Sequence, residues 1–143
     1  MNNNIGVLIN YKPTTDLVAE FKKAQDMELN SCQLCVWDMT IYEDEKYADA
    51  LKAAIAETGF NVTALWAGWS GPKEWNFTTG PATIGLVPTT YRYERMRDLI
   101  KGSDFAKKVG ITKVITHAGF IPENPDHPDF TGTVAALRYV IGT

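Results

Sequence analysis

The chain has 143 residues, of which 45% are hydrophobic and 22% charged, with a net charge of −3. That balance belongs to a globular chain long enough to bury a sizeable core, and it excludes intrinsic disorder. The acidic balance, with no basic stripe, also excludes nucleic-acid binding through phosphate neutralisation.

No apolar run approaches the roughly 20 residues of a membrane helix. The opening MNNNIGVLIN lacks both the basic and the apolar region of a signal peptide, so a cytoplasmic protein is expected. The first strand is read over Ile5–Asn10, with Ile5, Val7 and Ile9 on one face. Pro13 and Thr14–Thr15 break it and open a helix whose stripe is Leu17, Val18, Phe21 and Ala24. Cys32–Trp37 is the second strand. Its two thiols, Cys32 and Cys35, are the only ones in the chain. The C-x-x-C spacing suggests metal or redox chemistry in a loop, but residues three apart on a strand point to opposite faces. Two small buried residues are expected instead.

Thr40 and Glu43 match a capping-box spacing ahead of a helix with Tyr47, Ala50, Leu51, Ala54 and Ile55 inward, ending at Gly59. Val62–Ala67 is the third strand. The stretch Gly68–Thr90 is long for a connection in an α/β unit, and long connections are functional or disordered. Trp69, Trp75 and Phe77 within it favour order. Thr90 is read as the cap of a third helix whose Met96, Leu99, Ile100 and Ser103 share a face before Gly110. Ile111–Pro125 reads as a buried strand over Lys113–Thr116, delivering His117 into a polar loop. Thr131 then caps a last helix with Val134, Leu137 and Ile141 inward.

Strand and helix thus alternate four times, which predicts one domain over 1–143 with a parallel sheet and outer helices. An open doubly wound sheet and half of a (β/α)8 barrel both fit. No G-x-G-x-x-G follows the first strand, which removes the dinucleotide argument for the open sheet.

In either architecture, sites form beyond the carboxyl ends of the strands. Those ends carry Asn10–Tyr11, Trp37–Asp38, Trp66 with Trp69, and His117 with Glu123. Aromatic faces beside polar groups suit a sugar, whose C–H face packs on a ring while its hydroxyls are hydrogen-bonded. For Trp37 and Trp66 the other reading is core packing. Asp38 either binds substrate or caps the next turn. His117 is the strongest single candidate, as a metal ligand or proton carrier, or else as a structural histidine bonded to backbone. His127 reads as a surface loop residue, and Glu123 and Asn124 as residues that shape their loop. No set of carboxylates and histidine at metal spacing can be assembled.

In GWSGPKEWNFTTGPATIGLVP (68–88) and THAGFIPENP (116–125) the chain resembles the sugar phosphate isomerase/epimerase family, the xylose isomerase-like TIM barrels. The likeness runs from IGVLIN to the last helix. It implies a (β/α)8 barrel that moves a proton next to a carbonyl in a ketose or aldose. A pair of glutamates acts around a divalent ion, manganese or magnesium. A barrel takes eight βα units and about 250 residues, so the resemblance implies that this chain is a (β/α)4 half. The family's metal-binding Glu, Asp, His and Glu come from later strands, so no catalytic or metal residue is carried over here. The substrate side is: Trp37, Asp38, Trp66, Trp69, His117 and Glu123. The chain alone is expected to be inactive, to bind no metal, and to pair with a second copy through its open barrel edges. A sugar or sugar phosphate is the expected ligand. The alternatives are a non-catalytic sugar-binding or scaffold half-barrel, and an endonuclease IV-like metal hydrolase. In that last branch an early strand-end histidine binds zinc, which His117–Ala118–Gly119 echoes, but the acidic charge and missing ligands stand against it.

Overall fold

The computed structural model describes residues 5–143; the first four residues, part of the leader reading above, lie outside the described residues. Four strands, β1 (Val7–Tyr11), β2 (Ser31–Val36), β3 (Asn61–Ala67) and β4 (Val114–Ile115), form one parallel sheet in the order β1-β2-β3-β4. A doubly wound sheet reverses its strand order at a switch point, whereas a barrel adds each strand beside the last. The sequential order therefore selects the barrel-type half and discards the open sheet.

The chain divides into two compact units. The first comprises residues up to Gly68 together with Gly102–Ile115 and holds the whole sheet. In it α1 (Leu17–Asp26) starts where the Asp16 carboxylate accepts the Ala19 N–H at 3.0 Å, and it buries Leu17, Phe21 and Ala24 as expected. The helix α2 (Glu45–Thr58) buries Ala48, Leu51 and Ala54 and ends at Gly59, whose φ of 66° only glycine adopts without strain. Its N-cap is Asp44, accepting the Lys46 N–H, rather than the capping box expected at Thr40. Thr40 is already used: its N–H and its hydroxyl both donate to Asp38, which caps a 3₁₀ turn over Met39–Tyr42.

Strand parity sorts the sheet's two faces. Ile9, Leu34 and Leu65, aligned across the strands, join Phe21, Leu51 and Phe60 in the core beneath the helices. Phe21 stacks on Phe60 with ring centroids 4.7 Å apart, a contact worth about 0.5–1.5 kcal/mol beyond the area it buries. The neighbouring row, Asn10, Cys35, Trp66 and Ile115, takes the other face. Cys32 belongs to the helix-side core while Cys35, though also buried, does not. Both are free thiols, and burial pushes Cys32 up to about 12, helped by Cys35, and Cys35 up to about 11. The C-x-x-C spacing is thus structural, as the strand parity requires.

The fourth strand departs from expectation. It pairs over two residues only, and Val114 and Ile115 are exposed because β4 is the sheet's edge. A strand read as buried needs a neighbour on both sides, and within this sheet β4 has one.

The second unit comprises Trp69–Lys101 and Thr116–Thr143. It holds the long loop with a short helix α3 (Gly80–Thr83), and α5 (Pro128–Gly142). The helix α4 (Thr89–Lys108) begins one residue before the expected cap and runs from the second unit into the first. Its buried stripe is Arg95, Asp98, Leu99, Gly102, Phe105 and Ala106. The expected face, with Met96, Ile100 and Ser103, is displaced because two charged residues occupy inward positions; Ser103 is exposed. The helix α5 starts at Pro128 rather than Thr131, with Nδ1 of His127 accepting the Asp129 N–H at 3.1 Å. It buries Thr133 and Ala136, and Ile141 is 83% exposed. Thr133 can turn inward because its hydroxyl donates to the Asp129 carbonyl at 2.6 Å.

Candidate functional site

Each unit carries part of the predicted rim. In the first, Trp37 and Trp66 are half-buried and meet edge to face at 4.9 Å between centroids. Gly68 follows β3 with its N–H on the Val36 carbonyl at 2.9 Å, and the Trp37 ring occupies the space a side chain at 68 would need. Asp38 lies beside them as a cap: its Oδ1 takes the Thr40 hydroxyl at 2.6 Å and the Thr40 N–H at 3.0 Å. Those two bonds hold its carboxyl below the usual range.

In the second unit the long loop is built around Arg95. This side chain is 0% exposed. Its Nη1 donates to the Gly85 carbonyl at 2.7 Å, Nη2 to the Pro72 carbonyl at 2.7 Å, and Nε to the Ser70 carbonyl at 3.3 Å. The planar fork thus ties three separate points of Gly68–Thr90 to one helix, which a lysine's point charge would not do. The guanidinium also lies over the rings of Tyr91, at 4.7 Å, and Trp69, at 5.3 Å. Burial pulls its pKa down from the ordinary arginine value, against the pull of Tyr91, Asp98 and Glu94. Asp98, also buried, accepts the Ser70 N–H at 2.8 Å. Neither residue was singled out from sequence. The signal was there in the spacing 95, 98, 102, 105, but counting apolar residues alone hides it.

Arg92 fastens the other end of the loop. It donates to the Leu86 carbonyl at 2.7 Å, to the Val87 carbonyl at 2.5 Å, and to Asp129 at 3.0 Å. Hydrogen bonds from Thr89 and Arg92 hold the Asp129 carboxyl below its usual range.

The loop so anchored meets the segment after β4. Leu86 N–H donates to the Ala118 carbonyl at 2.7 Å. Gly85, with φ of 71°, sits against that same carbonyl, where any Cβ would collide with backbone. Between the two segments opens a cleft of about 430 Å³ lined by Trp75, Asn76, Phe77, Ile84, His117, Gly119 and Phe120. Such a volume suits a small ligand. Trp75 is 53% and Phe77 91% exposed, and Phe77 meets Phe120 edge to face at 6.1 Å. Water-facing rings grouped beside a polar group are a recognition surface for a ligand with one apolar face.

His117 is exposed, two residues beyond β4. Its Nδ1 accepts the Gly119 N–H at 3.0 Å, and its ring stands edge to face with Trp75 at 5.3 Å. With Nδ1 accepting, the proton of the neutral ring sits on Nε2, which is left as the donor. The backbone-bonded reading of His117 and the ligand-facing one therefore hold together.

Of the remaining predicted residues, Trp69 is 1% exposed and touches the cleft only through Trp75, 6.3 Å away between centroids. Glu123 is exposed in the following turn and does not line the cleft. Trp75 and Phe77, which the sequence marked only as ordering the loop, line it directly. The divalent ion implied by the resemblance does not fit the residues present. Among the described residues no three His, Cys, Asp or Glu side chains are grouped so as to hold a metal. Among the same residues no helix is long and apolar enough to cross a membrane.

No protein-family model and no curated protein matches the chain. Solved structures do. A xylose isomerase domain protein from Planctomyces limnophilus superposes with a TM-score of 0.82 at 27% identity, covering 97% of this chain and 49% of that one. An apo 3-keto-D-glucoside 4-epimerase from E. coli superposes with a TM-score of 0.58 at 16% identity, covering 96% of this chain and 52% of that one; it speaks to fold alone. The chain spans about half the length of both. With four parallel strands in sequential order, it has the fold of half a xylose isomerase-like TIM barrel and belongs by that fold with the sugar isomerase and epimerase barrels.

Proposed function

We propose that this chain is the substrate-recognition half of a sugar isomerase/epimerase-like barrel, folded as one domain. The observation that carries this is the aromatic cleft with His117 at the carboxyl end of β4, where barrel enzymes place their ligands. In this reading Trp75, Phe77 and Phe120 pack against the C–H face of the sugar. Nε2 of His117 donates to a sugar hydroxyl or carbonyl oxygen, held in aim by the Gly119 bond and the Trp75 edge. Trp37, Trp66 and Asp38 continue the strand-end rim, and Glu123 lies at its margin. The partner class is a small-molecule sugar, in keeping with the printed activities of the matched proteins.

The reaction of a whole barrel of this kind, proton transfer next to a carbonyl, needs an acid, a base and a divalent ion. The described residues offer no metal-holding group. The 143-residue chain by itself is therefore proposed to bind without turnover. Calorimetric titration with a panel of ketoses and aldoses, run beside a metal-supplemented epimerisation assay, tests both parts. Saturable binding with no turnover is expected. Robust turnover would overturn the half-site reading, and no binding of any sugar would remove the recognition reading.

The same fold leaves β1 and β4 as sheet edges, with Leu8, Val114 and Ile115 exposed along them. Unpaired strand edges with apolar side chains invite association. A twofold dimer of the isolated chain is proposed on that ground. Light scattering at micromolar concentration checks it, and a strictly monomeric species would refute it.

A further inference from the structure

We infer that the sugar seated in this cleft is unphosphorylated, a refinement that rests on the sugar-recognition reading above. A phosphate dianion is held in proteins by arginine or lysine, or by backbone N–H groups left open in a turn or at a helix start. The cleft offers neither. Its lining contains no lysine, arginine, aspartate or glutamate.

The cations of the same unit are committed or lie away from the cleft. Arg95 is fully buried and spends its fork on the Ser70, Pro72 and Gly85 carbonyls. Arg92 is bound to the Leu86 and Val87 carbonyls and to Asp129. Lys73 donates to the Gly71 carbonyl at 3.0 Å. Arg97 and Lys101 line a different groove with Tyr93 and Tyr139. Arg138 does not line the cleft.

The backbone donors around the cleft are committed as well. Gly119 N–H goes to Nδ1 of His117 at 3.0 Å, and Leu86 N–H to the Ala118 carbonyl at 2.7 Å. The N–H groups of Thr78 and Thr79 both go to Oδ1 of Asn76, at 2.9 and 2.8 Å. What remains is three aromatic rings, Ile84 and one neutral imidazole donor. That set rewards a C–H face and a single oxygen, and it penalises a desolvated charge that finds no partner. The ligand class is a free ketose or aldose, or a neutral glycoside.

The test is a calorimetric titration of the chain with free D-fructose, D-glucose and methyl glucoside, against fructose 1-phosphate, fructose 6-phosphate and glucose 6-phosphate. At least one uncharged sugar is expected to bind about tenfold or more tighter than any of the phosphates. A phosphate that binds as tightly or tighter overturns the inference while leaving sugar recognition intact. No binding by any of the six sinks both.

A second arm uses Phe77→Arg, at a position 91% exposed, where the fold does not depend on the ring. A cation placed there is expected to improve phosphate binding by about tenfold, the value of one charge-assisted hydrogen bond. An unchanged ratio of phosphate to free-sugar affinity in this variant would mean that the preference is not set in this cleft, and would also overturn the inference.

Discussion

Replacing Arg95 with methionine is expected to cost about 3–5 kcal/mol of stability, because three loop carbonyls lose a buried donor at about 1–3 kcal/mol each. Methionine fills much of the same volume, so the loss reports hydrogen bonds and charge more than a cavity. The guanidinium is fully buried, spans Ser70, Pro72 and Gly85, and lies between the Tyr91 and Trp69 rings. Asp98, whose negative charge favours the guanidinium, would be left buried without that offset. Arg95→Lys keeps the charge but reaches fewer of the three carbonyls, and should recover only part of the loss. Urea melts followed by tryptophan fluorescence measure both variants. A midpoint for Arg95→Met close to the parent's would show that the fork does not hold the loop.

The second large effect separates two tryptophans six residues apart. Trp69→Ala is expected to destabilise the chain by about 3–5 kcal/mol, the range for truncating a large buried aromatic. The ring is 1% exposed and packs under Arg95 and against Trp75. Trp75→Ala should cost about 1 kcal/mol or less in stability, since the ring is half in water. It should instead abolish measurable sugar binding, because it removes both an aromatic face of the cleft and the edge contact that aims His117. Paired melts and titrations of the two variants decide the matter. Equal losses of stability, or a Trp75→Ala chain that binds as the parent does, would contradict this division of roles. Trp69 and Arg95 touch, so their effects should not add.

That division also marks how far the sequence could be read. The alternation of strands and helices was legible because β1, β2 and β3 carry near-continuous apolar residues and α1 and α2 carry clean stripes closed by Asp16 and Gly59. Caps within a run of acids were not. Asp38, Asp44 and Thr40 all have cap chemistry, and only the 3₁₀ turn decides that Thr40 serves Asp38 while Asp44 starts α2. In α4 the apolar count pointed to Met96 and Ile100, because a rule that sends charges outward cannot foresee that Arg95 and Asp98 turn inward to serve loop carbonyls and amides. In α5 the inward face went to Thr133 and Ala136, a polar residue satisfied by its own helix and a small one, over the larger Ile141.

The site was half legible for the same reason. His117 could be found because it follows a strand by a fixed interval. Trp75, Phe77 and Phe120 lie in loops with no period, and only tertiary hydrogen bonds, Leu86 to Ala118 among them, bring them to one cleft. Trp69, beside β3, looked like a rim residue because adjacency to a strand end says nothing about which way a loop then turns.

The sequential strand order has a consequence for how the chain is made. Each strand pairs with the one synthesised just before it, so the sheet can be laid down in the order in which it leaves the ribosome. Leu34 can meet Leu65 once a single helix has intervened, whereas Leu65 must wait for the long loop and α4 before Val114 arrives. That last pairing is the shortest and closes the largest interval. Co-translational folding of this chain should therefore pause with three strands assembled, the fourth being added only when the loop bearing the cleft has been completed.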